Sequence, residues 1–402
     1  MPSPPSRRVA IIAAARTPIG KFGGSLRSTP AVALGALATR AALERSKVAP
    51  SDIPQLFFGH CIQAGTGQNP ARQVLRGASI PDTAGGVTVN MVCGSGMQAL
   101  VSATHAVRSG DCEVAVAGGM ESMSSAPYLV PSRARWGLRL GPAELDDAML
   151  RDALLDAYGE HEHMGLTGER IAQDLGLRRS DVDAFAARSH QRAAAATSDG
   201  TFRTEIVEVP PSLTPGGSGL AADEGPRGSS TVESLAKLRP SFRPDGLLTA
   251  GNSSQLSDGA AALVLASDEE VERRGARPLA WVHSSAVSGV SPDRVMEAPI
   301  PTVRAHLERV GLSPADFDRV EHNEAFASAS IAVQRAFGFT DSQFNVHGGA
   351  VALGHPIGAS GSRIVVTLLH ELLRARGRLG LATLCMGGGN GLSLILDRRD
   401  LQ

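Results

Sequence analysis

Four short stretches carry side chains able to do covalent or proton-transfer chemistry. Cys93 stands in VTVNMVCGSGMQAL, between a strand-like apolar run and a helical one, where glycines permit a tight turn and close approach of a ligand. A thiol at a helix start feels the helix dipole and free backbone N–H groups, which favour the thiolate and can hold a developing oxyanion. The layout is that of a nucleophile elbow with cysteine in place of serine, although an inert packed thiol fits the same residues. His355 lies in GGAVALGHPIGASGS, a glycine-rich loop ahead of another helix, and Pro356 restricts its backbone. A neutral imidazole there can take a thiol proton, and a structural histidine is the alternative. Cys385 ends an apolar strand that runs into three glycines in TLCMGGGNG, with a packed strand-end thiol as the alternative. Asn323 and Glu324, in HNEAFA, follow a strand candidate at a place where polar residues of α/β sheets face a ligand crevice. An amide there can orient a water toward a carbonyl oxygen.

The elements that must position these groups alternate between short β-branched runs and longer Ala/Leu-rich segments of helical period, the pattern of an α/β protein. Strand candidates are residues 9–13, 56–58, 87–89, 113–117, 261–266, 279–282, 320–322, 379–384 and 392–396. Helix candidates are 31–45, 97–108, 178–196, 302–310, 328–337 and 362–376. A Pro, Gly and Ser-rich stretch over 210–230 reads as a surface loop. Residues 89–119 and 345–389 share the order strand, glycine turn, helix, strand, Gly-Gly. Upstream, 51–60 matches the layout of 314–324, and RVAIIAAA near the start matches RPLAWVHSSA near Arg277. These layouts imply two similar halves with an insertion near 121–250.

At 402 residues the chain is long enough for two or three domains, each with its own core. Lys plus Arg number 39 against 40 for Asp plus Glu, so no charge imbalance argues for nucleic acid or a membrane surface. Cys61, Cys93, Cys112 and Cys385 form no CxxC pair and no zinc-like set, which points to reduced thiols in a cytosol-like compartment. After Arg7 and Arg8, the apolar run from Val9 is ended by Arg16 and reads as a first buried strand rather than a leader. No stretch approaches the roughly 18 apolar residues of a membrane span.

The chain resembles the thiolase family through NMVCGSG, GGMESMSSAPY from Gly118, NEAFA from Asn323, GGAVALGHPIGASGS from Gly348 and CMGGGNG from Cys385. The likeness is collinear and nearly full length, extending to HMGLTGERIA from His163 and to AKLRPSF and TAGNSSQLSDGAAA. It implies two duplicated αβα halves in a five-layered α-β-α-β-α core: 1–122 plus 251–274, an inserted loop domain over 123–250 that covers coenzyme A, and 275–402. It further implies that Cys93 accepts an acyl group with His355 as general base, and that Cys385 moves the α-proton of a second acyl-CoA. His355 and a water held by Asn323 would form one oxyanion site, and the backbone N–H groups of Cys93 and Gly387 a second. His163, Met164, Arg227, Ser234, Phe242, Ala250, Ser254, Met296, Ala325 and Phe326 would contact CoA or the acyl group, Arg227 and Ser234 at the nucleotide end.

The activity implied by this resemblance is a reversible condensation of two acetyl-CoA to acetoacetyl-CoA and CoA, in a cytoplasmic homodimer or homotetramer with no metal and no tightly bound cofactor. ALGHPIGASGS and TLCMGGG favour this short-chain type, whereas NSSQLSDGAAA looks more like degradative members acting on longer 3-oxoacyl-CoA. A catalytically silent acyl-CoA or lipid carrier, and a decarboxylating ketoacyl-synthase-like enzyme, are the competing readings. The first would not need Cys93, Asn323, His355 and Cys385 together, and the second would use paired histidines. The chain departs from the family at His322, at His347 and at Gly168, where apolar or small residues are usual for the first and Ala for the last. The two histidines are placed to alter polarity around the Asn323 water.

Overall fold

The structure, a computed structural model, describes residues 7–401. Its main strands, which join in one hydrogen-bonded path, are β1 (Val9–Arg16), β2 (Gln55–Gly59), β3 (Gly85–Val89), β4 (Val114–Ser122), β5 (Ser257–Ser267), β6 (Ala280–Gly289), β7 (Arg319–His322), β8 (Leu379–Met386) and β9 (Asn390–Asp397). The order across the sheet is β7-β8-β9-β6-β1-β5-β4-β2-β3. β1, β4, β5 and β8 are buried along their whole length, as strands covered on both faces must be.

The two halves run through this path in the same order. From the outer edge inward, the first half reads β3-β2-β4-β5-β1, parallel at β3/β2 and β2/β4 and antiparallel at β4/β5 and β5/β1. The second reads β7-β8-β9-β6, parallel at β7/β8 and antiparallel at β8/β9 and β9/β6. A parallel bridge between Val320 and Phe344 stands where β3 lies beside β2. The halves meet where β1 pairs with β6, Ala10 opposite Trp281 and Ile11 opposite Ala280.

Five layers result from the alternation of side chains along these strands. Val114 and Val116 of β4 face a cluster that includes α1 (Ala31–Ser46) and α2 (Pro70–Gly77), whereas Ala115 and Ala117 face a central cluster. That central layer holds α3 (Ser95–Ser109) and α8 (Ile357–Arg374), packed between the strands of both halves. Beyond the second half lie α6 (Pro299–Val310) and α7 (Ala327–Phe337), with α4 (Met164–Asp174) and α5 (Arg179–Ser198) added from the segment between Ser122 and Ser257 that leaves the sheet. The sequence-expected strands and helices are present, and α2 and α4 are further helices. Residues 1–6 and 402, at the ends of the two outer units, lie outside the described residues. Among the described residues no helix is long and apolar enough to cross a membrane.

The glycine-rich stretch after His355 departs from expectation. Its sequence reads as a loop, yet α8 already starts at Ile357 and includes GASGS. Glycine is a poor helix former, and here tertiary contact overrides propensity. A Cβ on Gly361 would lie 2.6 Å from the Met97 nitrogen, and one on Gly96 would lie 2.6 Å from Ser362 Oγ. Without side chains the two helix starts approach backbone to backbone, which brings the residues ahead of them together. Gly119 on β4 sits under the same crossing, where a Cβ would strike the Gly358 carbonyl oxygen.

Gly119→Ala is therefore expected to destabilise the fold by about 1–3 kcal/mol, seen as a lower urea midpoint with unchanged slope. An unchanged midpoint would mean that α8 can back away from β4.

Candidate active site

Cys93 lies in a single 3-10 turn (Val92–Gly94) between β3 and α3. Val92 has φ +50°, a strained conformation for a β-branched residue. Three hydrogen bonds hold it there: Asn90 Oδ1 accepts from the Val92 N–H at 3.0 Å, and Ser95 Oγ accepts from the Met91 N–H at 2.9 Å while donating to the Val92 carbonyl at 2.7 Å. On the facing side, His355 leads into α8 and places Nε2 3.3 Å from Cys93 Sγ.

The protonation of the imidazole is set by its partners. Ser360 Oγ donates to the Pro356 carbonyl at 2.9 Å, so toward His355 Nδ1, 2.5 Å away, it acts as acceptor. Asn323 Nδ2, a donor only, lies 3.3 Å from Nε2. Both contacts assign the proton to Nδ1 and leave the Nε2 lone pair facing Cys93. Asn323 Oδ1 is buried without a hydrogen-bond partner and can accept from a water.

Cys385 is the penultimate residue of β8, its Sγ 3.7 Å from Met296 Sδ. The next turn has Gly388 and Gly389 at φ +83° and +87°, left-handed values that suit glycine. This turn directs the Gly387 N–H toward Cys93 Sγ, which the Cys93 N–H also approaches. Cys93, His355, Cys385, Gly387, Met164, Ser254, Met296, Ala325 and Phe326 all line one mostly apolar cavity of about 50 Å³. It shares Val92, Ala153, Met164 and Gly387 with an open, more polar pocket of about 510 Å³.

Burial dominates the electrostatics. It pushes the Cys93 thiol up to about 11, against the opposing pull of the Gly387 and Cys93 N–H groups. It pushes Cys385 up as well, with Cys93 adding to the effect, and pushes His355 down to about 3, with the Arg363 charge acting in the same direction. The expected thiolate at a helix start is thus corrected: Cys93 is partly exposed as a residue while its sulfur is enclosed, and desolvation outweighs the N–H donors. The resting pair is a neutral thiol donating to a neutral imidazole. On attack at a carbonyl, such a pair can pass the thiol proton to Nε2 while the two N–H groups meet the oxyanion.

The remaining sequence-predicted residues divide by position. His163 caps α4 by accepting from the Gly165 N–H at 3.0 Å and stacks on Phe242 at 5.0 Å; Phe242 in turn meets Phe326 edge-on at 5.7 Å. Arg227, Ser234 and Ala250 are exposed and lie outside the cavity lining. Ser234 Oγ is engaged in a capping box with Thr231. Glu324 does not face the cavity: it accepts from Ser189 Oγ at 2.7 Å and from Asn345 Nδ2 at 2.9 Å. His322 turns to Ser330 Oγ at 2.9 Å and stacks on Phe344, and His347 pairs with Glu371 at 2.7 Å, so neither lines the cavity. Gly168 has a packing reason, since a Cβ would lie 2.6 Å from Leu248 Cδ1 and 3.1 Å from the Phe326 ring.

Sequence reasoning missed Ser360, the Asn90/Ser95 clamp on Val92, and Glu121, which accepts from the Gly358 N–H at 2.9 Å and the Cys61 N–H at 3.1 Å. A hydroxyl within GASGS was a usable signal for Ser360. Nothing local marks the strained Val92. Among the described residues no group of three or more His, Cys, Asp or Glu is arranged to hold a metal ion.

A family model described as Thiolase, N-terminal domain, matches residues 9–269, and one described as Thiolase, C-terminal domain, matches 276–398. An acetyl-CoA acetyltransferase of Chromobacterium violaceum is 46% identical over 394 residues, covering 97% of this chain and 99% of the relative. The crystal structure of the Bacillus anthracis acetyl-CoA acetyltransferase superposes with TM-score 0.94 at 41% identity, covering 98% of this chain and 100% of that one. Human mitochondrial 3-ketoacyl-CoA thiolase superposes with TM-score 0.93 at 38% identity, covering 97% and 98%.

A thiol pushed up to about 11 is protonated at neutral pH, so its thiolate fraction rises as pH rises. Alkylation of Cys93 by iodoacetamide is expected to speed up about tenfold per pH unit between roughly pH 7 and 10. A rate already level from pH 6 to 9 would indicate a resting thiolate–imidazolium pair instead.

Proposed function

The chain belongs to the thiolase family and is an acyltransferase; on that premise we propose that it interconverts two acetyl-CoA with acetoacetyl-CoA and CoA through an acetyl thioester on Cys93. The observation that carries this reading is the meeting of two thiols and one imidazole in one small cavity, with Cys93 Sγ 3.3 Å from His355 Nε2. One thiolate must stay covalently occupied while a second base works on the other partner, and a single Cys–His pair could not do both.

The proton inventory closes over the three groups. Cys93 attacks the acetyl thioester and its proton passes to His355 Nε2, while the departing CoA thiolate takes the proton of Cys385. The resulting Cys385 thiolate, held in an apolar environment, is a strong base and removes the α-proton of a second acetyl-CoA. The enolate oxygen is then met by His355 Nε2–H and by a water on Asn323 Oδ1. Its carbon attacks the Cys93 thioester, whose oxyanion lies against the Cys93 and Gly387 N–H groups, and the Cys93 thiolate leaves and recovers its proton from His355. In thiolysis the same steps run backward, and Cys385 starts as the acid, the state that its burial favours.

Substrate size is supported by the cavity. A volume of about 50 Å³ holds only a few water-sized groups, enough for a two-carbon acyl unit. Met164 and Met296 supply adaptable apolar walls, with Ala325 and Phe326 beside them. His163, Ser254 and Phe242 are assigned to the pantetheine arm, together with Ala250, and the exposed Arg227 and Ser234 to the nucleotide. CoA is substrate and product, with no tightly bound cofactor. The proposal includes the unit limits 1–122 plus 251–274, 123–250 and 275–402, a cytoplasmic location, supported by four free cysteines, and assembly as a homodimer or homotetramer. Exposed Tyr128, Val130, Trp136, Leu138 and Leu140 support association. A second reading, degradation of longer 3-oxoacyl-CoA, is favoured by the adjoining pocket of about 510 Å³.

A thiolysis profile over 3-oxoacyl-CoA chain lengths separates the two. Acetoacetyl-CoA is expected to give the highest kcat/KM, falling at least about tenfold by eight carbons, and Cys93→Ala is expected to lower kcat by about 10⁴-fold or more. Rising kcat/KM with length would favour the degradative reading. Undiminished turnover in Cys93→Ala would remove the nucleophile assignment.

A further inference from the structure

Below the site, the groove between β7 and α8 is lined by charge. Val320 of β7 faces the outer layer, so Arg319, Glu321 and Asn323 face α8. α8 answers at helical spacing with Ser360, Arg363, Thr367 and Glu371. The rungs are Asn323 with His355 at 3.3 Å, above Ser360; Glu321 with Arg363 at 3.6 Å; and Arg319 with Glu371 at 2.7 Å. Thr367 donates to Glu205 at 3.3 Å, which also pairs with Arg16 at 2.6 Å.

The duplicated half shows that the fold does not require this. There β2 runs beside β4 with Gln55 opposite Ala115, as Arg319 stands opposite Gly380. The position matching Glu321 is Phe57, packed against the central apolar cluster. One half fills the groove with hydrocarbon, and the half that holds His355 fills it with buried titratable groups, the more costly choice; burial pushes the Glu321 carboxyl well up, with the Arg363 charge opposing.

The central pair is also poorly made. Arg363 is 2% exposed, and none of Nε, Nη1 and Nη2 has a hydrogen-bond partner; neither does Glu321 Oε2. A separation of 3.6 Å is too long for a hydrogen bond, whereas an arginine kept for stability clamps its carboxylate with two. The cation instead lies one helical turn below Ser360, the residue that holds His355 Nδ1.

We propose that Arg363 is a positioning residue of the thiolase centre, a fixed buried cation that destabilises protonated His355 so that the proton taken from Cys93 is returned when the acyl group leaves. Arg363 is faced by Glu321 of β7, Glu324 just beyond it, Glu205, and Arg16 at the end of β1. His355 is faced by Cys93, Asn323 and Ser360, with Cys385 across the cavity. The low pKa of His355, which Arg363 helps to depress, agrees with this role. The inference rests on the thiolase reading, so wild-type thiolysis of acetoacetyl-CoA is measured first; its absence would defeat that reading before any variant is compared.

The decisive measurement is the acid limb of kcat/KM in Arg363→Met, Arg363→Lys and the double variant Arg363→Met/Glu321→Gln. The double variant removes both members of the Glu321–Arg363 pair, while Glu324 keeps its hydrogen bonds from Ser189 and Asn345, and it is expected to fold. Its acid limb should move up by about one pH unit while KM stays within about threefold, and Arg363→Lys should keep the limb near the wild-type position. An acid limb unmoved in the double variant, whatever the change in thermal midpoint, would overturn the proposal. So would loss of the fold in the double variant, because packing rather than charge would then be the requirement.

Discussion

The structure depends on a contact between two atoms 262 residues apart in sequence, Cys93 Sγ and His355 Nε2 at 3.3 Å. Each residue precedes a helix of the central layer, so their distance is set by how closely α3 and α8 can cross. Gly96 and Gly361 remove the side chains that would hold the helices apart, and Gly119 opens space beneath Gly358. The duplication supplies the rest: both halves place a strand, a tight turn and a central helix in the same order, and the pairing of β1 with β6 joins them. One half delivers Cys93. The other delivers the imidazole, the amide and the second thiol.

Burial gives this site its character. Removing water pushes both thiols up and the imidazole down, so the resting centre carries no charge on its reacting groups. On the proposed route charge would appear only as the reaction creates it, beside the Cys93 and Gly387 N–H groups for one oxyanion and beside His355 Nε2–H and a water held by Asn323 Oδ1 for the other. The strained Val92 fits the same account, because Asn90 and Ser95 hold a backbone turn that presents the sulfur toward His355.

Much of this was legible in the amino-acid sequence. Apolar runs separated by glycine turns marked the strands, and the repeat of strand, turn, helix and strand placed Cys93 and the stretch around His355 and Cys385 at matching ends. Direction and distance are the properties that sequence could not reveal. The period-two rule sends His322 to Ser330 and Phe344, away from the amide next to it, and that became visible only with the strand in its sheet. The thiolate expected at a helix start was inverted by desolvation, a property of the assembled core rather than of the local motif. Ser360 sits on a segment whose glycines argued against a helix, so its alignment with Arg363 beneath His355 was hidden until the α3–α8 crossing was seen. Arg227, Ser234 and Ala250 could be named only by likeness, because a residue on an exposed surface leaves no packing signature.

The central claim is that Cys93 holds the acyl group while Cys385 only moves the proton. Intact-protein mass spectrometry after incubation with acetyl-CoA alone, followed by peptide mapping, tests it most directly. The account predicts one acetyl group on Cys93 in the wild-type protein, none in Cys93→Ala, and an acetyl group still formed on Cys93, but not passed on to acetoacetyl-CoA, in Cys385→Ala. Acetyl found on Cys385, or a Cys385→Ala protein that turns over at the wild-type rate, would contradict it.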